Sequence, residues 1–220
     1  MKMKKFELAI YDLDGTLLDT SIGVLESVKY TINYFGLDQL SDEELISFIG
    51  PPIQNSFAKK YKLEGKAIQE IASVFRDRYK NFDLLKAVPY SGIFDSLERL
   101  KENGLKLAVA TYKREDYAIK LLQHFGFDKY FDVMHGADHD NVLKKSDIVK
   151  QCMTEILIQD PSRVVLIGDT VNDEIGAKTV GIDFIGVTYG FGFRNVDLKS
   201  KTSDQKFAQS PLEVANLILH

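Results

Sequence analysis

Two aspartates one residue apart, Asp12 and Asp14, stand in the segment Asp12-Leu13-Asp14-Gly15-Thr16-Leu17. A second acidic group, Asp169 and Asp173, stands far downstream in Gly168-Asp169-Thr170-Val171-Asn172-Asp173. Between them lie Thr111 and a lysine pair, Lys144-Lys145. Carboxylates that converge on one place repel each other unless a cation joins them, and an all-oxygen donor set suits Mg²⁺. Magnesium shields a phosphate dianion from an attacking carboxylate that would otherwise repel it. One aspartate can then act as nucleophile and form an aspartyl-phosphate, which water hydrolyses in a second step. A second carboxyl can protonate the leaving alkoxide and later deprotonate that water. A hydroxyl and an ammonium can hold the equatorial oxygens of the transferring group. The residue types therefore point to phosphoryl transfer, provided the fold brings them together.

Taken singly the motifs are weak. An Asp-x-Asp-Gly loop after a strand can be only an Asx-turn, Asp173 can be a helix N-cap, and a lysine pair is more often a solvated face. Their order along the chain, each at a strand end or helix start, is what gives them weight. Phe6-Glu7-Leu8-Ala9-Ile10-Tyr11 reads as a buried strand that ends at Asp12. From Ser21 to Asp83 the chain reads as three or four helices. One opens at the capping box Ser41-Asp42-Glu43-Glu44, Gly36 closes the helix before it, and Gly50-Pro51-Pro52 breaks the run. After Pro89 helix and strand alternate: helix Ile93 to Glu102, strand Leu105 to Ala110, helix Arg114 to Phe125, a weak strand near Val133, and helix Asp147 to Leu157. Strand Arg163 to Ile167, helix Asp173 to Val180, strand Phe184 to Val187 and a last helix with Ser210 as cap, Pro211 and Glu213 complete the series, and Lys199 to Lys206 reads as a solvated loop.

Such alternation predicts an α/β fold with a doubly wound parallel sheet, carrying an inserted all-helical domain. The expected division is a core of residues 1–18 and 86–220 and a helical insertion of residues 19–85. Ligands of doubly wound sheets bind at the carboxyl ends of the strands, so an insertion made right after Asp12 and Asp14 is placed to cover the site.

Composition narrows the partners. The 220 residues are 45% hydrophobic and 27% charged, ordinary for a globular protein, and the net charge of −4 argues against nucleic acid or an anionic membrane as partner. A negatively charged substrate would have to be held by local cations. No stretch approaches a membrane span. The basic Met1-Lys2-Met3-Lys4-Lys5 is followed by an apolar run too short for a signal peptide and interrupted by Glu7. The single cysteine, Cys152, excludes an internal disulfide and lies in a helical pattern, where it reads as a structural thiol. A cytoplasmic protein, monomer or homodimer, acting on a small phosphorylated metabolite is the expectation.

Nearly the whole chain resembles the haloacid dehalogenase superfamily of phosphatases, in its phosphoglycolate-phosphatase-like branch; Asp12-Leu13-Asp14-Gly15-Thr16-Leu17 and Gly168-Asp169-Thr170-Val171-Asn172-Asp173 carry the resemblance. It implies a Rossmann-like core with a helical cap. It also implies Asp12 as nucleophile and metal ligand, Asp14 as general acid/base and a ligand of Mg²⁺ through its carbonyl, Asp169 as a metal carboxylate with Asp173 in support, and Thr111 on the phosphate. Relatives usually continue the second motif as Thr-Asn-Lys or Thr-Ser-Lys, whereas this chain has Thr111-Tyr112-Lys113. The third motif, commonly Lys-Pro, is Lys144-Lys145-Ser146-Asp147. Lys145, directly before the expected helix start, is chosen as the phosphate-stabilising lysine over Lys144.

Substrate contacts are expected at Thr111, Lys113, Gly50 and Pro51. Gly50-Pro51-Pro52 reads equally as a plain turn, Lys113 and Arg114 as solvated residues at a helix start, and Asp19 chiefly as a hinge cap. The metal-independent dehalogenases lack the second aspartate, so Asp14 speaks against their chemistry. A phosphomutase of the β-phosphoglucomutase type and an inorganic pyrophosphatase remain alternatives, and a receiver-like or other non-catalytic binding module is the reading from a different class.

Overall fold

The computed structural model describes residues 6–138, 142–194 and 206–220. Residues 1–5 and 199–205, read above as a basic start and a solvated loop, lie outside the described residues. Two compact units form. The first comprises Met1–Leu18 and Pro89–His220, the second Asp19–Val88.

The first unit is built on strands β1 (Leu8–Tyr11), β4 (Lys106–Arg114), β5 (Val133–Ala137), β6 (Val164–Gly168), β7 (Asp183–Val187) and β8 (Lys206–Ala208), in the order β5-β4-β1-β6-β7-β8. Every pairing in this sheet is parallel. Parallel strands need crossovers, and α5 (Ile93–Glu102), α6 (Glu115–His124), α7 (Lys145–Ile156) and α8 (Val171–Val180) supply them, with α9 (Pro211–Leu219) closing the chain. The fold is thus α/β, Rossmann-like and doubly wound. β1 holds the middle and reads as an uninterrupted apolar run, Leu8-Ala9-Ile10-Tyr11, all of it buried. Strand alternation sends Leu8 and Ile10 to one face, where they pack with Ala108, Ala110, Leu166, Ile148, Val149 and Cys152 beneath α7 and α8. On α9, the Ser210 hydroxyl accepts from the Glu213 amide and Pro211 fills the first turn.

The second unit consists of α1 (Ser21–Phe35), α2 (Asp42–Ile46), α3 (Ile53–Tyr61), α4 (Lys66–Arg78) and a π-helical turn, Tyr79–Asp83. Gly36 ends α1 in the left-handed conformation, and Ser41 and Glu44 cap α2 reciprocally. Its buried Asp83 accepts from Ser27 Oγ at 2.9 Å and Arg78 Nε at 2.7 Å, which ties α1 to the end of α4. Short strands β2 (Leu18–Asp19) and β3 (Val88–Pro89) form a separate two-stranded sheet where the chain passes from one unit to the other.

Several boundaries depart from the sequence reading. β4 runs on through Thr111, Tyr112 and Lys113 to Arg114, with a register shift against β5 after Ala110, instead of stopping at Ala110. α7 opens at Lys145, two residues before Asp147, and α8 opens at Val171, so Asp173 is the third residue of its helix and not the cap. β8 was not expected at all: three residues of ordinary composition leave no periodic signal. Among the described residues no helix is long and apolar enough to cross a membrane.

Leu166 is fully buried at the centre of β6 between β1 and β7. Leu166→Ala should therefore lower unfolding stability by about 2–5 kcal/mol, read from guanidinium denaturation curves of the two proteins.

Candidate active site

β1 lies between β4 and β6 in parallel register, Tyr11 facing Val109 on one side and Ile167 on the other. The strands therefore bring Asp12, Thr111 and Asp169 to the same edge. The Asp12 amide still donates to the Ile167 carbonyl (2.9 Å), so the nucleophile candidate is fixed to the sheet by its own backbone. Beyond it the chain folds back on itself. The Leu17 and Leu18 amides donate to the Leu13 carbonyl and the Gly15 amide to the Leu18 carbonyl, all at 2.9–3.1 Å. Gly15 makes this turn with φ of +78°, and a Cβ there would stand 2.2 Å from Asp169 Oδ2. The loop of the first motif and the start of the last are packed in direct contact.

Asp12, Asp169 and Asp173 are all buried, and each offers a carboxylate oxygen within 4.8 Å of the others. One ammonium lies among them. Lys145 Nζ reaches Asp12 Oδ1 at 2.5 Å, Asp173 Oδ1 at 2.7 Å and the Ala110 carbonyl at 2.8 Å, which uses all three of its donors. Its side chain is 2% exposed and passes Gly176, where a Cβ would stand 2.7 Å from Lys145 Cγ. Burial pushes the Asp12 carboxyl up to about 7; Lys145 opposes the rise, and Asp173 and Asp14 add to it. Burial, then Asp12 and Asp173, push Asp169 up to about 8. For Lys145 burial works against the charge, yet Asp12 and Asp173 outweigh it and hold the ammonium protonated.

Asp169 Oδ2 accepts from the amides of Phe191 (2.6 Å) and Gly192 (3.2 Å), while its Oδ1 is buried with no hydrogen-bond partner. An unsatisfied buried carboxylate oxygen costs free energy, and here it belongs to a cluster of three acids. The donor set fits a hard divalent cation. Asp173 Oδ2 accepts from Thr170 Oγ1 (2.6 Å) and the Thr170 amide (3.1 Å), leaving Oδ1 for Lys145.

Asp14 is buried too, with Lys113 Nζ 3.1 Å from its Oδ2. Thr111 is buried and its Oγ1 accepts from the Lys113 amide at 3.2 Å. Thus Asp12, Asp14, Thr111, Lys113, Lys145, Asp169 and Asp173 are all placed in the first unit. Lys144 is exposed and caps α7 through its amide, which donates to Asp147 Oδ2. Arg114 pairs with Asp116 and lies over the Tyr117 ring, 4.0 Å from its centroid. Gly50 and Pro51 belong to the second unit, in the turn between α2 and α3, and Asp19 accepts from the Ser21 amide at the start of α1. A groove of about 1030 Å³ beside α6 and α7, lined by Arg114, His135 and Glu155 among others, includes none of the acidic cluster. Sequence reasoning passed over Thr170, Gly176 and the loop after β7. The Gly190-Phe191-Gly192 spacing at a strand end was the available signal, since paired glycines mark close backbone approach.

The family model described as haloacid dehalogenase-like hydrolase matches residues 9–187 of this chain. The chain belongs to that family. Among curated relatives, a 5'-nucleotidase of Pseudomonas aeruginosa is 32% identical over 185 residues, 83% of each chain. A phosphoglycolate phosphatase of Agrobacterium fabrum is 32% identical over 190 residues, covering 84% of this chain and 81% of its own. The crystal structure of a predicted phosphatase from Clostridium acetobutylicum superimposes with a TM-score of 0.88 at 33% identity, covering 97% of this chain and 98% of that one. This haloacid dehalogenase-like hydrolase falls in the phosphatase branch and is an enzyme, a phosphoric monoester hydrolase.

The contact between Gly15 and Asp169 gives the site a structural test. Gly15→Ala forces a side chain into a left-handed conformation, which alone costs about 1–2 kcal/mol, and drives a methyl group against the Asp169 carboxylate. Urea denaturation should show a loss at least that large.

Proposed function

We propose that this hydrolase cleaves the phosphomonoester bond of a small phosphorylated metabolite in a Mg²⁺-dependent reaction that passes through a phosphoryl group on Asp12. The observation that carries the proposal is the buried Asp12 carboxylate held on Lys145 within the Asp12–Asp169–Asp173 cluster. Asp12, Asp169 and the Asp14 carbonyl, with Asp173 in support, are the residues that would hold Mg²⁺. When bound, the ion would offset the charge of the phosphate and of the acids around it.

In the first half-reaction an Asp12 oxygen forms a bond to phosphorus as the bond to the leaving oxygen breaks, and Asp14 in its acid form gives that oxygen a proton. In the second, Asp14 as carboxylate takes a proton from water. The water oxygen bonds to phosphorus, and inorganic phosphate leaves with Asp12 restored. Thr111 and Lys145 hold the equatorial oxygens. Lys113, on Asp14 here, meets the anionic part of the substrate. Residues 19–85 would act as a cap that selects the substrate and excludes water, with Gly50 and Pro51 as its candidate substrate contacts. A nucleoside monophosphate or a phosphoglycolate-like acid is the substrate class favoured by the names of the relatives.

The test is hydrolysis of p-nitrophenyl phosphate. Turnover should require Mg²⁺ and vanish with a chelator, and Asp12→Asn should lose on the order of 10³-fold or more, as removal of a covalent nucleophile does. Metal-independent turnover, or full activity in Asp12→Asn, contradicts the proposal. A panel of phosphorylated metabolites then ranks the substrate classes.

A further inference from the structure

Tyr112 stands beside the acidic cluster without belonging to it. It follows Thr111 on β4 and lies on the same face as Ala108 and Ala110, against the core beneath α7. Two contacts bind it to Lys145. The Lys145 amide donates to the Tyr112 hydroxyl at 3.0 Å, and Lys145 Nζ lies 5.6 Å from the centre of the Tyr112 ring.

The first contact matters because Lys145 is the opening residue of α7. Amides in a first helical turn have no partner within the helix, so an unclaimed amide here would leave the helix start free to fray or slide. A slide of α7 would move the lysine with it. The tolerance is small: three oxygens share the ammonium, and the lysine stem passes Gly176 so closely that a Cβ there would stand 2.7 Å from Lys145 Cγ. From the sheet, Tyr112 fixes where the lysine's backbone begins, and its ring borders the space in which the ammonium sits.

We propose that Tyr112 is the positioning residue for Lys145: its hydroxyl anchors the backbone of the lysine, so that the ammonium is aimed at Asp12 and at the phosphoryl group on it. Tyr112 touches neither substrate nor metal in this assignment. It rests on the role given to Lys145 above, and the test separates the two.

Tyr112→Phe keeps the ring and removes the anchor. With p-nitrophenyl phosphate and saturating Mg²⁺, kcat should fall about 3- to 10-fold, the value of one neutral hydrogen bond, with KM within about twofold. Inhibition by orthovanadate, which mimics the five-coordinate phosphorus, should weaken by the same factor as kcat. Inhibition by inorganic phosphate should change less than about twofold. In a Lys145→Arg background, where the cation is already misplaced, Tyr112→Phe should add less than about a twofold further loss. Unchanged kcat in Tyr112→Phe overturns the proposal, as does an equal loss in both backgrounds, or a loss in which vanadate and phosphate inhibition weaken alike. If Lys145→Arg does not fold, the vanadate-to-phosphate comparison in Tyr112→Phe alone decides. If Lys145→Arg turns over like the wild type, the reading of Lys145 itself fails, and the assignment of Tyr112 falls with it.

Discussion

Carboxylates buried together without enough positive charge are costly, and this molecule buries three of them, Asp12, Asp169 and Asp173, with oxygens within 4.8 Å. Lys145 is the ammonium that meets two of them. Three carboxylates against one ammonium leave two negative charges when all are ionised. Burial and mutual repulsion accordingly raise Asp12 and Asp169 far above the ordinary carboxylate range. On the proposed reading, the same charge imbalance that is costly to the protein alone is what a divalent cation would offset.

The surrounding structure holds that imbalance in place. Asp12 is tied by its amide to the neighbouring strand, Asp169 by two amides of the loop after β7, and Asp173 by the amide and hydroxyl of Thr170. Asp169 and Asp173 each keep one carboxylate oxygen for the cluster while local donors hold the other, and Asp12 is fixed through its own backbone amide, so the acids are held in place before any ligand arrives. The glycines serve the same end, because at Gly15 and Gly176 a methyl group would occupy the place of Asp169 or of the Lys145 stem.

Much of this could be read from the chain. Apolar β1 running into Asp12, the Val164–Ile167 run into Gly168, and the helix punctuation at Gly36, Ser41 and Ser210 are local signals, and local signals decide element type. The parallel sheet followed from alternation because parallel strands need crossovers. What escaped depends on distance in sequence. Lys113 sits on Asp14 across nearly a hundred residues, and the amides of Phe191 and Gly192 serve an acid more than twenty residues away. Tyr112 read only as a departure from a familiar pattern, because the amide its hydroxyl meets lies thirty-three residues on. α7 starts two residues ahead of Asp147, with Ser146, a residue type that favours N-caps, inside its first turn. The capping carboxylate in fact comes from Asp147 reaching back to the Lys144 amide.

The central claim is that the phosphoryl group is carried by Asp12. Acid quench of the enzyme during turnover of a phosphomonoester with Mg²⁺, followed by proteolysis and mass spectrometry, tests it most directly. The account predicts one phosphoryl group, on the peptide that contains Asp12 and on no other, and none when Asp12→Asn is treated in the same way. A phosphorylated peptide lacking Asp12, or the same label in Asp12→Asn, would contradict it.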